Sequence, residues 1–163
     1  MMESIQIPQL SEQEIQDGLL QANSSIRRRY PKILHNPGDE FNRVINFMMQ
    51  DSYMQTHLHP GVEKIEKIYL LQGKIATLFF DDQGIVKECT VLEKGGIEMI
   101  EVPAFTWHTY VILSDHAITY ETMMGKYEPQ TWKEFSNSAP LENSSESLLY
   151  LNQLKEEVGK YII

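Results

Sequence analysis

Apolar residues near the start of the chain recur at Ile15, Leu19 and Ala22, with Leu20 widening the stripe. Returns every three to four positions predict an amphipathic helix. Its start is signalled by Ser11-Glu-Gln-Glu14, a capping box in which the serine oxygen accepts an orphan N–H and the glutamate reaches back. The helix is expected over residues 12–24, ended by Asn23-Ser-Ser. Before it, Ile5, Ile7 and Leu10 alternate loosely, as an edge strand would. Residues 25–40 read as irregular, broken by Pro31, Pro37 and Gly38. From Asn42 the apolar period shortens to two, predicting strands over residues 43–49, 53–58, 66–72, 74–80, 85–92, 97–102, 107–113 and 117–124. Turn signals separate them: Asp51-Ser, Pro60-Gly, Asp82-Gln-Gly84, Lys94-Gly-Gly96 and Ser114-Asp115. After Gly125, residues 127–135 read as extended or as one helical turn, and Ser136 to Pro140 as loop. A second helix, capped by Ser144 or Ser145, runs to about Val158 with Leu148, Leu149, Leu151 and Leu154 as its apolar stripe.

Short strands at this regular spacing are the pattern of an all-β sandwich or barrel, and eight of them suit a jelly roll. The expectation is an all-β jelly-roll barrel with an N-terminal and a C-terminal helix. With 163 residues, no internal repeat and no low-complexity segment, it is expected to form one domain over residues 1–163. Within it, residues 1–41 form a helix and arm, 42–124 the barrel, and 125–163 a C-terminal extension and helix.

A hydrophobic content of 42% with 23% charged residues is that of a folded soluble protein. The formal net charge of -9 argues against nucleic acid or an anionic membrane as the main partner. Arg27-Arg28-Arg29 is the one basic cluster, and it reads as a solvated surface or an anion contact. A single cysteine, Cys89, allows no intrachain disulfide and suits a reducing cytoplasm. No apolar run is long enough to cross a membrane as a helix, and no secretory signal is visible.

The densest chemistry lies between Tyr53 and Gly73. His57 and His59 are two apart, so on a strand both imidazoles face one way, and neutral imidazole is the commonest metal ligand. Glu66 opens the following apolar strand and is the carboxylate expected to join them. Glu63, in the intervening loop, is the alternative. His108, downstream of Pro103, is the expected third imidazole. Three imidazoles and a carboxylate suit iron(II), manganese, zinc, nickel or copper. Around them, Tyr53 and Gln55 would share the face of His57, and Tyr110 that of His108, as pocket residues or as barrel filling. Glu121 shares a face with Thr119 and Met123. Turned inward, it would have a raised pKa and could act as a base. Turned outward, it would be an ordinary solvated charge. His35 and His116 read as ordinary loop and turn histidines.

These motifs resemble those of the cupin superfamily. The first cupin motif runs Gly, His-x-His, Glu, Gly, and His57, His59, Glu66 and Gly73 fall in that order. Asp51 stands in place of the opening Gly, and the gap between His59 and Glu66 is about two residues long for the pattern. In the second motif Pro103 and His108 keep their spacing, while Phe105 and Ile112 replace its Gly and Asn. The resemblance implies a double-stranded β-helix barrel with His57, His59, Glu66 and His108 as metal ligands. Over most of residues 27–155 the chain is similar to the WbuC-type cupin-fold metalloproteins. The shared features include His35-Asn36, Asn42-Arg43, Ser52-Tyr53, Trp107 and Ser138-Ala-Pro140. That family is associated with bacterial surface-polysaccharide gene clusters, and the likeness adds Arg43, His35 and Tyr127 as pocket candidates.

Two functions follow as expectations. The first is a metal-dependent isomerase, lyase or oxygenase acting on a sugar, sugar nucleotide or small organic acid. The second is a non-catalytic small-molecule binding or sensing module in which the metal anchors the ligand. A cytoplasmic homodimer, joined through the N-terminal segment or the leucine-striped last helix, is expected in either case.

Overall fold

In a computed structural model, which describes residues 6–162, twelve elements follow one another. They are α1 (Glu12–Ser24), β1 (Arg29–Ile33), β2 (Phe41–Met49), β3 (His57–Leu58), β4 (Glu66–Gln72), β5 (Lys74–Phe80), β6 (Val86–Glu93), β7 (Met99–Val102), β8 (His108–Ile112), β9 (His116–Met124), β10 (Glu134–Phe135) and α2 (Ser147–Gly159). The strands form two five-stranded antiparallel sheets, ordered β1-β2-β9-β4-β7 and β10-β3-β8-β5-β6. The expected jelly roll with flanking helices is the observed architecture.

Because side chains alternate across each strand, each sheet presents one face to the other sheet and one face to a helix. Between the sheets lie Met48, Ile68, Leu70, Ile75, Leu92, Val102, Ile112 and Ala117. The outer face of the first sheet carries Ile45, Phe47, Tyr69, Ile118 and Tyr120, which α1 covers with Ile15, Leu19 and Ala22. A Cβ at Gly18 would overlap the Phe47 ring, so this glycine lets α1 approach the sheet closely. The outer face of the second sheet carries Ala76, Leu78, Phe80 and Val111, covered by Leu151, Leu154 and Val158 of α2. Burying a stripe of this kind stabilises by about 25 cal/mol per Å² of apolar area.

The α1 helix keeps the expected bounds, and its capping box is formed: Ser11 Oγ accepts from Glu14 N at 3.1 Å, and Ser11 N donates to Glu14 Oε1 at 3.1 Å. At α2 the expected serine cap is absent. Glu146 occupies the N-cap without a side-chain bond, while Leu148 and Leu149 of the predicted stripe stay exposed. The strand expected over 53–58 shrinks to His57–Leu58. Residues 53–56 satisfy their backbone irregularly, for example through Thr109 Oγ1 to Met54 O and Ser136 N to Thr56 O. Two strands escaped the sequence pattern. β1 contains Pro31, which an edge strand tolerates because its missing N–H faces away from a partner. β10 is only two residues long. The edge strand considered for Ile5, Ile7 and Leu10 is not formed by Ile7 or Leu10, and Ile5 lies outside the described residues. No helix among the described residues is long and apolar enough to cross a membrane.

Candidate metal centre

At one end of the barrel the inward positions turn from aliphatic to polar. β4 contributes Glu66, β8 His108 and Tyr110, β9 Thr119 and Glu121, and β2 Asn46. His57 on β3 pairs directly with His108 on β8, and the chain beyond brings His59 alongside. One ligand atom each from His57, His59, Glu66 and His108 lies within 4.8 Å of the other three. All four side chains are buried, with exposures of 2, 4, 7 and 0%. Glu66, at the start of β4, joins the histidines; Glu63 stays exposed in its loop.

Each imidazole is oriented from behind. His57 Nδ1 donates to Gln55 O at 2.9 Å, His59 Nδ1 to Trp132 O at 2.9 Å and His108 Nδ1 to Thr106 O at 2.8 Å. A carbonyl oxygen can only accept, so in each ring Nδ1 carries the proton. In the neutral ring, Nε2 then presents a lone pair toward the centre. The Nε2 atoms of His59 and His108 each lie 3.2 Å from Glu66 Oε2. A carboxylate oxygen facing imidazole lone pairs needs a proton or a cation between them. Burial holds the His57 imidazole well below its usual pKa, and the neighbouring His108 and Lys133 add to this, so a proton on His57 is unfavourable. A divalent cation satisfies the four inward atoms at once. The donor set therefore fits a metal ion of the borderline class.

A second carboxyl stands beside the first. Glu121 faces inward, which settles its orientation, and Asn46 Nδ2 and Thr119 Oγ1 both donate to its Oε2. Burial, together with the charge of Glu66, pushes Glu121 well above the ordinary carboxylate range. Burial acts on Glu66 in the same sense, but hydrogen bonds from His108 and His59, made where a proton rather than a cation lies between them, outweigh it and hold that group well below its usual value. Environments that push two neighbouring carboxyls apart leave one charged and the other protonated. The Tyr110 hydroxyl donates to Glu66 Oε1 at 2.8 Å; burial raises its pKa far above normal, so it acts there as a neutral donor.

The centre opens into a cavity of about 330 Å³ whose walls include Ile33, Val44, Met54 and Met123. Of the candidates that the resemblance added, His35 and Tyr127 line it, and Tyr127 packs edge-on against Trp132 at 5.1 Å. Three other sequence candidates do not line it. The Tyr53 hydroxyl donates to Pro140 O, with its ring packed against Tyr150 of α2. Gln55 Nε2 donates to Ser136 O and Ala139 O. Both fail to share the His57 face because the strand that would have aligned them is not formed. Arg43 meets His35 only through its backbone, with Arg43 N 3.0 Å from His35 Nδ1.

Several residues of the site were missed in the sequence. Arg27, Arg29 and Lys133 line the cavity, and Asn46 fixes Glu121. Glu142 holds both arginines, at 3.1 Å to Arg27 Nε and 2.6 Å to Arg29 Nη2. The arginine cluster was visible, and its reading as an anion contact was open, but nothing in the pattern showed that alternate arginines face the barrel. Arg28 pairs instead with Asp51.

Comparison with known proteins supports the fold. A family model described as "Domain of unknown function (DUF6016)" matches residues 10–92. No curated protein matches the chain. Protein SO0799 from Shewanella oneidensis is similar with a TM-score of 0.55 at 12% identity, over 83% of this chain and 87% of that one. Oxalate oxidase in complex with the substrate analogue glycolate gives 0.53 at 11% identity, over 69% of this chain and 57% of that one. A DMSP lyase gives 0.52 at 16% identity, over 68% and 53%. The chain thus spans little more than half the length of those two enzymes. At such identities the likeness shows the fold, which is the cupin jelly roll.

Proposed function

The chain belongs to the DUF6016 family, and from that premise we propose that it is a divalent-metal-binding cupin protein. We read residues 1–163 as one domain and the ligands as His57, His59, Glu66 and His108. The observation that carries this reading is the set of three inward Nε2 atoms, each fixed by a carbonyl behind its ring, gathered around one buried carboxylate. Iron(II), manganese, zinc, nickel and copper all suit such donors. Four protein ligands leave positions for a small molecule, on which the bound ion supplies Lewis-acid polarisation. Glu121 is the proton-holding group beside it, and Tyr110 keeps Glu66 aimed. His35 and Tyr127 line the path by which a ligand enters.

The WbuC-type resemblance supports a sugar, sugar nucleotide or small organic acid of bacterial surface-polysaccharide metabolism as the ligand, in a cytoplasmic homodimer. The second reading, a non-catalytic binding or sensing module, is favoured by Phe105 and Ile112 in the second motif. Turnover of a candidate substrate by metal-loaded protein, lost when His108 is replaced, would exclude the module.

The test of the metal reading is elemental analysis of protein purified without chelator. About one equivalent of a divalent transition metal per chain is expected, and almost none in the His57→Ala/His59→Ala double variant. Full metal content in the double variant would overturn the assignment.

A further inference from the structure

Lys133 lies between β9 and α2, immediately before β10. Its backbone is pinned on both sides. The preceding Trp132 carbonyl receives the His59 Nδ1–H, and the following Glu134-Phe135 pairs with Leu58-His57. The side chain lines the same cavity as His57, His59 and Glu66. Among the described residues, no hydrogen bond or ion pair reaches its ammonium, although each other lysine or arginine lining that cavity has a carboxylate partner. Arg29 is engaged through both terminal amines, by Glu142, Ser52 and two backbone carbonyls. Arg27, which also lines the cavity, uses only Nε, on Glu142, and its terminal amines have no hydrogen-bond partner among the described residues.

Arg27, Arg29 and Lys133 stand against Glu66, Glu121 and Glu142, so even with every carboxyl ionised the site is no better than neutral before any metal binds. A divalent ion then leaves two positive charges uncompensated in a partly enclosed cavity, inside a chain whose net charge is -9. An ammonium held without a partner beside that ion raises the energy of the loaded protein unless an anion lies between them. The walls beyond are aliphatic and aromatic, which suits a short organic body.

We propose that the cavity binds a small organic anion, a carboxylate or a phosphate monoester, whose charged group is held by Lys133. Arg27 assists, and the other end of the anion reaches the metal centre. This selects, within the proposed function, acidic ligands over neutral sugars. It rests on the metal reading for its charge excess, but Lys133 is available to an anion with or without the ion.

The experiment is calorimetric titration of the wild type, Lys133→Met and Lys133→Arg, each in metal-loaded and chelated form. The probes are acetate, inorganic phosphate and neutral acetamide. Binding of one or both anions is expected, with no acetamide binding, a loss of at least tenfold in K133M, and affinity largely kept in K133R. Which anion binds separates carboxylate from phosphate chemistry. Metal content and melting temperature of K133M should match the wild type, which shows that the fold and the four ligands are intact. If K133M binds both anions as tightly as the wild type, or if acetamide binds equally well, the inference falls. If the wild type takes up no metal while its anion binding still depends on Lys133, the anion site stands and the metal reading falls.

Discussion

Stripping the metal should cost the fold a measurable part of its stability, and replacing Glu66 by glutamine should remove most of that dependence. In the loaded protein, a cation bound only to the native state stabilises it by RT ln(1 + [L]/Kd), which is about 2.7 kcal/mol at a hundredfold excess over Kd and about 4.1 at a thousandfold. For a chain of this length, each kcal/mol moves the melting temperature by roughly 2–4 °C. Wild-type protein is therefore expected to melt about 5–15 °C higher with a saturating divalent metal than with chelator.

The variant reverses the balance of the chelated state. Without metal, Glu66 is a charge with 7% exposure, packed against His59, His108 and Tyr110. Replacing a buried ion or ion pair by neutral groups of the same shape is often neutral or stabilising. The amide introduced by Glu66→Gln can donate toward the inward Nε2 atoms. Chelated E66Q should accordingly melt no lower than chelated wild type, while its upward shift with metal falls to a few degrees or less. Differential scanning fluorimetry, run with zinc, manganese and chelator in parallel, reads both quantities. A wild type that melts at the same temperature with and without metal would refute the reasoning. So would an E66Q variant whose metal shift equals the wild type's.

The remaining predictions concern the scaffold of the site. Burial raises the Glu142 carboxyl, but Arg29 and Arg27 outweigh it and hold it below its ordinary value of 4.5. Its folded pKa is therefore lower than its unfolded one, so the stability it contributes is present above about pH 4.5 and is lost as pH falls through the folded value. E142Q should flatten that acid limb in urea titrations run at a series of pH values, and at neutral pH should cost about 3 kcal/mol because the buried Arg29 charge loses its carboxylate. Phe105 sits at φ 59 and is 56% exposed. F105G should relieve left-handed strain and raise stability by about 0.5–1 kcal/mol, read as a higher urea midpoint at unchanged slope. Leu151, on the buried face of α2, has 1% exposure. L151A should cost about 2–5 kcal/mol by the same assay.

The strands that carry the ligands were legible because their period is strict and their ends are punctuated. β4 and β5 keep their expected bounds, separated by Gly73, whose φ of 91 and close approach to the His116 carbonyl leave no room for a Cβ. The ligands were legible for a different reason: imidazoles two apart, a carboxylate opening the next strand and a distant histidine make a conjunction that packing alone does not require. Phe105 shows how far such a pattern can be trusted. The second motif expects a glycine there, and the backbone does adopt the left-handed conformation that glycine favours, with Phe105 N donating to His59 O. The geometry has been kept while the residue has changed.

What the pattern could not show is the part of the site built by pairing distant segments. Trp132 supplies a carbonyl, which every residue has, so no residue type marks it as the support of His59. No local pattern marks Lys133, which lines the cavity just before β10 pairs with β3. Pro31 made β1 read as irregular, although an edge position accommodates it, and with that strand went the knowledge that Arg29 begins it and faces inward. In each case the local sequence is neutral and the long-range pairing decides. The proposed metal ligands can thus be read from a motif, whereas the cationic groups that line the cavity lie on or beside the two edge strands, β1 and β10, where the chain is least constrained by its own periodicity. Relatives of this chain that keep the histidines but vary around positions 27–33 and 127–135 should accordingly hold the same ion while selecting different ligands.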